Sequence, residues 1–320
     1  MPLPAAFEGR LAVPAIAAPM FLVSGPDLVV ESCRSGVLGS FPALNQRTTQ
    51  GFEDWLVEIE GRLDGVNQTD GHGPAPYGVN LIVHKSNPRV QADLEICVKH
   101  KVPLIITSLG AVKELVDAVH SYGGLVFHDV INIRHATKAA QAGVDGIIAV
   151  CAGAGGHAGL LSPFALVPEI RSIFDGTIIL SGAISTGAQV AAARALGADL
   201  AYLGTRFIAT KESLAPDEYK QMILGSNAGD IVYTPNVSGV NANFMRPSML
   251  ANGLDPDAPP GNHVMNMSDE ARAWKTVWSA GQGVGSVRDV VGTAELCERL
   301  GREYRETVAA LAAEDFAGAK

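Results

Sequence analysis

Two histidines and two glycine-bearing turns are the parts of this chain whose residue types and spacing suit chemistry. His157 lies in VCAGAGGHAG, Val150 to Gly159, directly after the apolar run GIIAV. An imidazole titrates near neutrality and suits general acid–base work. The glycines around it, Gly155 and Gly156 above all, leave room for a flat ring or a small substrate. His128 is the second candidate, with Asp129 next to it in GLVFHDV. Successive strand residues point to opposite sides, so at most one of that pair faces a shared site.

LSGAISTG and LGTRF carry a different signal. Glycine lets a backbone approach an anion closely, and Ser181 and Thr205 add hydroxyl donors. With a helix N-terminus nearby, such turns make a phosphate site. No metal site is expected: the sequence has no His-x-x-x-His pair and no acidic cluster at a strand end. His72, His84 and His263 fall in polar loops without ligand spacing.

Gly153-x-Gly155-x-x-Ala158 also satisfies a loose dinucleotide fingerprint. That fingerprint should open a long helix and be followed by an acidic residue at the end of the next strand. Here Pro163 follows too closely, and the next strand ends in Ser181. The match is read as accidental.

These residues must be positioned by the elements around them. Apolar runs recur at 15–20, 36–41, 77–83, 103–108, 124–130, 146–152, 177–183 and 200–205. They are apolar throughout rather than alternating, as parallel strands covered on both faces are. Amphipathic stretches separate them, among them 87–100, 112–123, 133–143 and 187–197. This alternation predicts an α/β (β/α)8 TIM barrel, with an open doubly wound sheet as the alternative. In a barrel the site gathers at the C-terminal strand ends, and the turns after strands seven and eight commonly hold phosphate. The predicted barrel spans 1–224 and 271–320. Residues 225–270, rich in Asn, Gly, Pro and Met, read as a C-terminal lid-like excursion inserted after the last barrel strand. A closing helix is expected over 293–313.

Composition limits the partners. With 47% hydrophobic residues in 320, the chain can bury a full core. A net charge of −9 without blocks of like charge argues against nucleic acid or an anionic membrane. Cys33, Cys97, Cys151 and Cys297 are far apart and read as buried thiols, which fits a reducing compartment; Cys151, at a strand end, is also a nucleophile candidate, with packing the favoured reading. Prolines interrupt the N-terminal apolar stretch, so no signal peptide is expected, and no run reaches the ~20 apolar residues of a membrane helix. A cytoplasmic protein is expected.

The motifs together resemble the flavin-dependent nitronate monooxygenase family, known earlier as 2-nitropropane dioxygenase. That family includes flavin-containing enoyl-ACP reductases and some NAD(P)H:quinone reductases. The resemblance runs over about residues 10–290. It rests on APM, GVNL, RHA..A...GVD, AGGHAG, LSGAIS.G, ALGAD...LGTRF and WSAGQGVG. It implies FMN at the barrel mouth, with Pro19, Met20 and Phe21 lining the isoalloxazine and Asn80 at the ring or ribityl chain. It assigns the phosphate to Ser181, Gly182, Ala183, Gly204 and Thr205, and closure over the flavin to Ser279, Gly281 and Gln282. His157 matches the family histidine, a base or substrate-orienting group, and His128 is placed at the flavin and the chemistry. Several members carry His-Lys where this chain has His128-Asp129.

The activity implied is oxidation of nitronates or nitroalkanes by O2 to carbonyl compounds and nitrite. The alternative is an NAD(P)H-dependent flavin reductase acting on a quinone or an enoyl thioester. A flavin-free barrel lyase or isomerase and a non-catalytic flavin-binding protein are the readings from other classes. Self-association into a homo-oligomer is left open.

Overall fold

The computed structural model describes residues 3–66, 73–110, 112–261 and 274–314. His72 and His263 lie outside the described residues, as do positions 262–270 of the expected excursion and 271–273 beyond it.

Eight parallel strands close into a barrel. They are β1 (Ala15–Ala17), β2 (Leu38–Pro42), β3 (Gly78–Ile82), β4 (Leu104–Ser108), β5 (Leu125–Val130), β6 (Gly146–Val150), β8 (Thr177–Ser181) and β9 (Leu200–Leu203). Two-residue β7 (Gly156–His157) lies outside the barrel. Closure is made by β9 against β1, with Ile16 opposite Tyr202. The predicted strands are all found, and β1 is shorter than expected: it stops at Ala17, two residues before Pro19, which has no N–H to continue a ladder.

Alternation along each strand sorts the core into two layers. Ile16, Leu38, Ile106, Phe127, Ile148, Ile179 and Tyr202 fill the barrel interior. Gly146 makes room there, since a Cβ at that position would lie 2.4 Å from the Phe127 ring. Val79, Ile105, Val126, Ile147 and Ile178 point outward into the helical layer. That layer includes α1 (Pro26–Arg34), α2 (Thr49–Leu63), α3 (Val90–Lys99), α4 (Lys113–His120), α5 (Ile133–Ala142), α6 (Pro163–Arg171) and α7 (Gly187–Ala195).

After β9 come the short α8 (Thr205–Ile208) and then α9 (Asp217–Leu224). The expected excursion follows and is described as far as residue 261. β10 (Ile231–Thr234) and β11 (Ala242–Met245) form an antiparallel pair, and α10 (Arg246–Ala251) follows them. β11 pairs in turn with β7, so Ala242 lies opposite His157 and Asn243 opposite Gly156. The C-terminal helix, Thr293–Ala313, packs against α7 and α1.

Candidate active site

A cavity of about 1270 Å³ opens at the C-terminal ends of the barrel strands. Its floor is the last inward-facing layer: Asn80 of β3, Ser108 of β4, Asp129 of β5, Val150 of β6, Ser181 of β8 and Tyr202 of β9. Three of these share hydrogen bonds. Asn80 Nδ2 donates to Ser108 Oγ at 2.8 Å, and Ser108 Oγ donates to Asp129 Oδ2 at 2.6 Å. Burial pushes the Asp129 carboxyl up to about 6, against the Ser108 bond and the charge of His157, which both favour the anion. The Tyr202 phenol is raised by burial and by the Asp129 charge.

His128 and Asp129 part company as strand geometry requires. Asp129 sits beside inward-facing Ile148, whereas His128 sits beside outward-facing Ile147. His128 is buried, with Nδ1 2.7 Å from Thr107 Oγ1, and burial lowers its pKa to about 4. It therefore stays neutral at physiological pH while its ring forms part of the cavity wall.

His157 reaches the cavity by another route. Its strand is the edge of the β10–β11–β7 sheet, and its ring packs edge-on against Trp274 at 5.6 Å. Tyr233 Oη donates to the Ala158 carbonyl at 3.0 Å and ties β10 to the same loop.

The glycine loop is locked to the segment that the sequence reading placed over the ligand. Gly156 N donates to Ser279 Oγ and Gln282 N to Gly153 O, each at 2.8 Å. Asn243 Nδ2 donates to the Ala154 carbonyl at 2.6 Å. The backbones come so close that a Cβ on Gly155 would meet Gly281 N at 2.9 Å, and one on Gly281 would meet Gly153 O at 2.5 Å. These two glycines thus serve loop-to-loop packing. Ser279 and Gly281 line the cavity, but Gln282 stands behind its wall with its side chain against Gly153.

Pro19, Met20 and Phe21 line the cavity on the β1 side. Their turn is clamped by Asn45, which donates to the Met20 and Ser24 carbonyls and accepts from Leu22 N at 2.9 Å. Leu22 takes a φ of 61°, so the clamp holds a strained turn.

Ser181, Gly182, Ala183, Gly204 and Thr205 cluster at the ends of β8 and β9 and all line the cavity. The N-terminus of α7 does not take part. Thr186 and Gln189 form a capping box, and Gly187 N donates to Glu303 Oε2 of the C-terminal helix at 2.7 Å. An anion here would be held by the turn backbones and hydroxyls. Gly204 fits that use: it lines the cavity, and a Cβ there would find no protein atom nearer than 3.7 Å. Gly281 N donates to Thr205 Oγ1 at 2.8 Å, which fixes the hydroxyl.

Cys151 is buried and burial raises its thiol to about 12, so it is a packing residue rather than a nucleophile. Among the described residues, no three His, Cys, Asp or Glu side chains converge on one point and no helix is long and apolar enough to cross a membrane. Sequence reasoning did not find the Asn80–Ser108–Asp129 chain or Trp274. The first was visible only as three polar residues at the ends of successive strands, with nothing to show that they bond to one another, and the second carried no signal.

An eight-stranded parallel barrel whose β8 and β9 turns line one cavity together with a histidine defines a candidate enzyme site at the C-terminal strand ends. The nitronate monooxygenase family model matches residues 10–303, and the chain belongs to that family; it is an oxidoreductase. It is 28% identical to the nitronate monooxygenase of Paraburkholderia phytofirmans over 92% of this chain and 93% of that protein. It is also 28% identical to an octahydro-indene carboxyl-CoA dehydrogenase of Rhodococcus jostii, over 71% of this chain and 61% of that one. The fold is shared with a nitroalkane oxidase from Streptomyces ansochromogenes, at a TM-score of 0.81 and 24% identity, covering 96% of this chain and all of the other.

Proposed function

We propose that the protein binds FMN and oxidises alkyl nitronates or nitroalkanes with O2 to carbonyl compounds and nitrite. One observation carries this reading: His157 is held at the wall of the cavity that the phosphate-suited turns of β8 and β9 also line. The residues present suit the cofactor. The open face of Gly204 and the Thr205 hydroxyl would hold its phosphate. Met20 and its neighbours would lie along the ring, and Asn80 within reach of the ring or ribityl chain. When bound, FMN supplies the electron acceptor that passes reducing equivalents to oxygen.

The protein's own residues place and charge-match the substrate. His157 acts as base or as the group that orients the nitro oxygens, and backbone N–H groups add to anion stabilisation. The loop closed by Ser279 and Gly281 keeps solvent from the reacting carbon. His157→Ala should reduce nitrite release at least ~100-fold while FMN remains bound, the range for loss of a positioned acid–base group. Unchanged turnover refutes the role.

The second reading is NAD(P)H-dependent reduction of a quinone or a thioester. It is favoured by the mouth of the cavity, where exposed Arg47 and Lys138 offer cations in a chain of net charge −9. The Rhodococcus relative, named for a carboxyl-CoA substrate, is in line with it. Rapid anaerobic bleaching of the flavin by NADH would favour this reading over nitronate oxidation.

A further inference from the structure

We propose that Asp129 is the catalytic base that takes the α-proton of a neutral nitroalkane, leaving His157 to hold the nitro group. The inference deepens the reading above and rests on it. Its consequence is that this chain accepts the neutral carbon acid itself and does not depend on nitronate formed beforehand in solution.

Asp129 faces the barrel axis at the end of β5, directly above Phe127 on an apolar floor. It is the only carboxylate lining the cavity among the described residues.

The two carboxyl oxygens are used differently. Oδ2 accepts from Ser108 Oγ, which in turn accepts from Asn80 Nδ2. Oδ1 is buried and has no hydrogen-bond partner among the described residues. One oxygen is anchored by Ser108, and the other is unpaired but shielded from the cavity, so it would receive the proton once the carboxylate turns toward bound substrate.

Charge supports the same assignment. The titratable groups that act on Asp129 across the cavity are His157 from β7 and Tyr202 from β9; His128 is turned to the other face of β5. A carboxylate on this floor repels a nitronate arriving as an anion, whereas a neutral nitroalkane meets no such opposition. Burial also brings the carboxyl to about 6, close to the pH at which a base is most effective.

The step balances without a co-reactant. The Cα–H bond breaks, its proton goes to Asp129 Oδ1, and the electron pair moves onto the nitro oxygens. Their charge is then met by His157.

The test is exchange of the nitroethane α-protons in D2O, followed by proton NMR under anaerobic conditions, where oxidation does not contribute. The wild type should accelerate exchange over buffer, and Asp129→Asn should lower the enzymatic rate at least ~100-fold. The ratio of nitroethane to ethylnitronate oxidation should fall by a similar factor. Ser108→Ala keeps the base but removes its donor, so its exchange should persist with the pH inflection moved upward. Exchange that is unchanged in Asp129→Asn, or lost only in His157→Ala, overturns the assignment. A wild type that oxidises ethylnitronate but exchanges no α-protons overturns it while nitronate oxidation stands. Asp129-dependent exchange without any nitronate oxidation would keep the base and overturn the oxidase reading.

Discussion

The Thr205 hydroxyl, at the end of β9, accepts a 2.8 Å hydrogen bond from the amide of Gly281, 76 residues further on. That bond joins the proposed phosphate turn to the segment closing the cavity. Both partners are buried. Thr205→Val leaves the Gly281 N–H without an acceptor and should cost about 1–3 kcal/mol in urea unfolding. FMN retention on dilution should fall together with stability.

Gly281 and Gly204 should respond oppositely to alanine. At Gly281 the new Cβ would lie 2.5 Å from the Gly153 carbonyl oxygen, and overpacking of this kind costs about 1–3 kcal/mol. At Gly204 the nearest protein atom is 3.7 Å away, so thermal stability of the flavin-free protein should stay within about 0.5 kcal/mol. FMN affinity, measured by fluorescence titration, should nonetheless drop at least ~10-fold at Gly204→Ala. Equal affinity would remove Gly204 from the cradle.

Asp129 makes stability depend on pH in a direction opposite to that of a salt-bridged carboxylate. Its folded-state value, about 6, lies above the ordinary one, so the folded protein holds this proton more tightly than the unfolded chain. The stability it contributes is complete below about pH 4 and is lost as pH rises through 6. Asp129→Asn should therefore raise the melting temperature at pH 8, with a gain of up to about 3 kcal/mol that disappears by pH 4. A constant difference across this range would show that the side chain does not titrate as described.

His128 acts at the acid end. Its value is lowered to about 4, so between pH 6.5 and 4 the unfolded chain binds a proton that the folded protein refuses. Stability falls across that window as pH drops. His128→Asn, which keeps a partner for Thr107, should flatten this acid limb by up to about 3 kcal/mol. No change in slope would contradict a buried neutral imidazole.

The barrel was readable because each strand is a continuous apolar run, such as GIIAV or TIILS, that only a doubly covered parallel sheet explains. His157 stood out because a titratable group surrounded by glycine at a strand end has little packing purpose. The reason for those glycines was not readable. Gly155 and Gly281 answer one another across 126 positions, and no local pattern records such an approach. The β10–β11 hairpin escaped for a related reason. IVYT and ANFM are four residues each, set among Asn, Gly and Pro, and their pairing with Gly156–His157 is visible only in three dimensions. The α7 N-terminus shows the opposite case: turn chemistry suggested an open anion site, but Glu303, 116 residues away, already occupies its Gly187 amide.

The pairing of His157 with Ala242 has a structural consequence. The barrel supplies the floor, including Asp129, but the His157 imidazole is mounted on a sheet whose other strands belong to residues 231–245. Changes in that hairpin would move His157 relative to Asp129 while leaving the barrel strands in place. Floor and ceiling of the cavity thus rest on separate sheets, and a change in the ceiling alone would alter what fits between them.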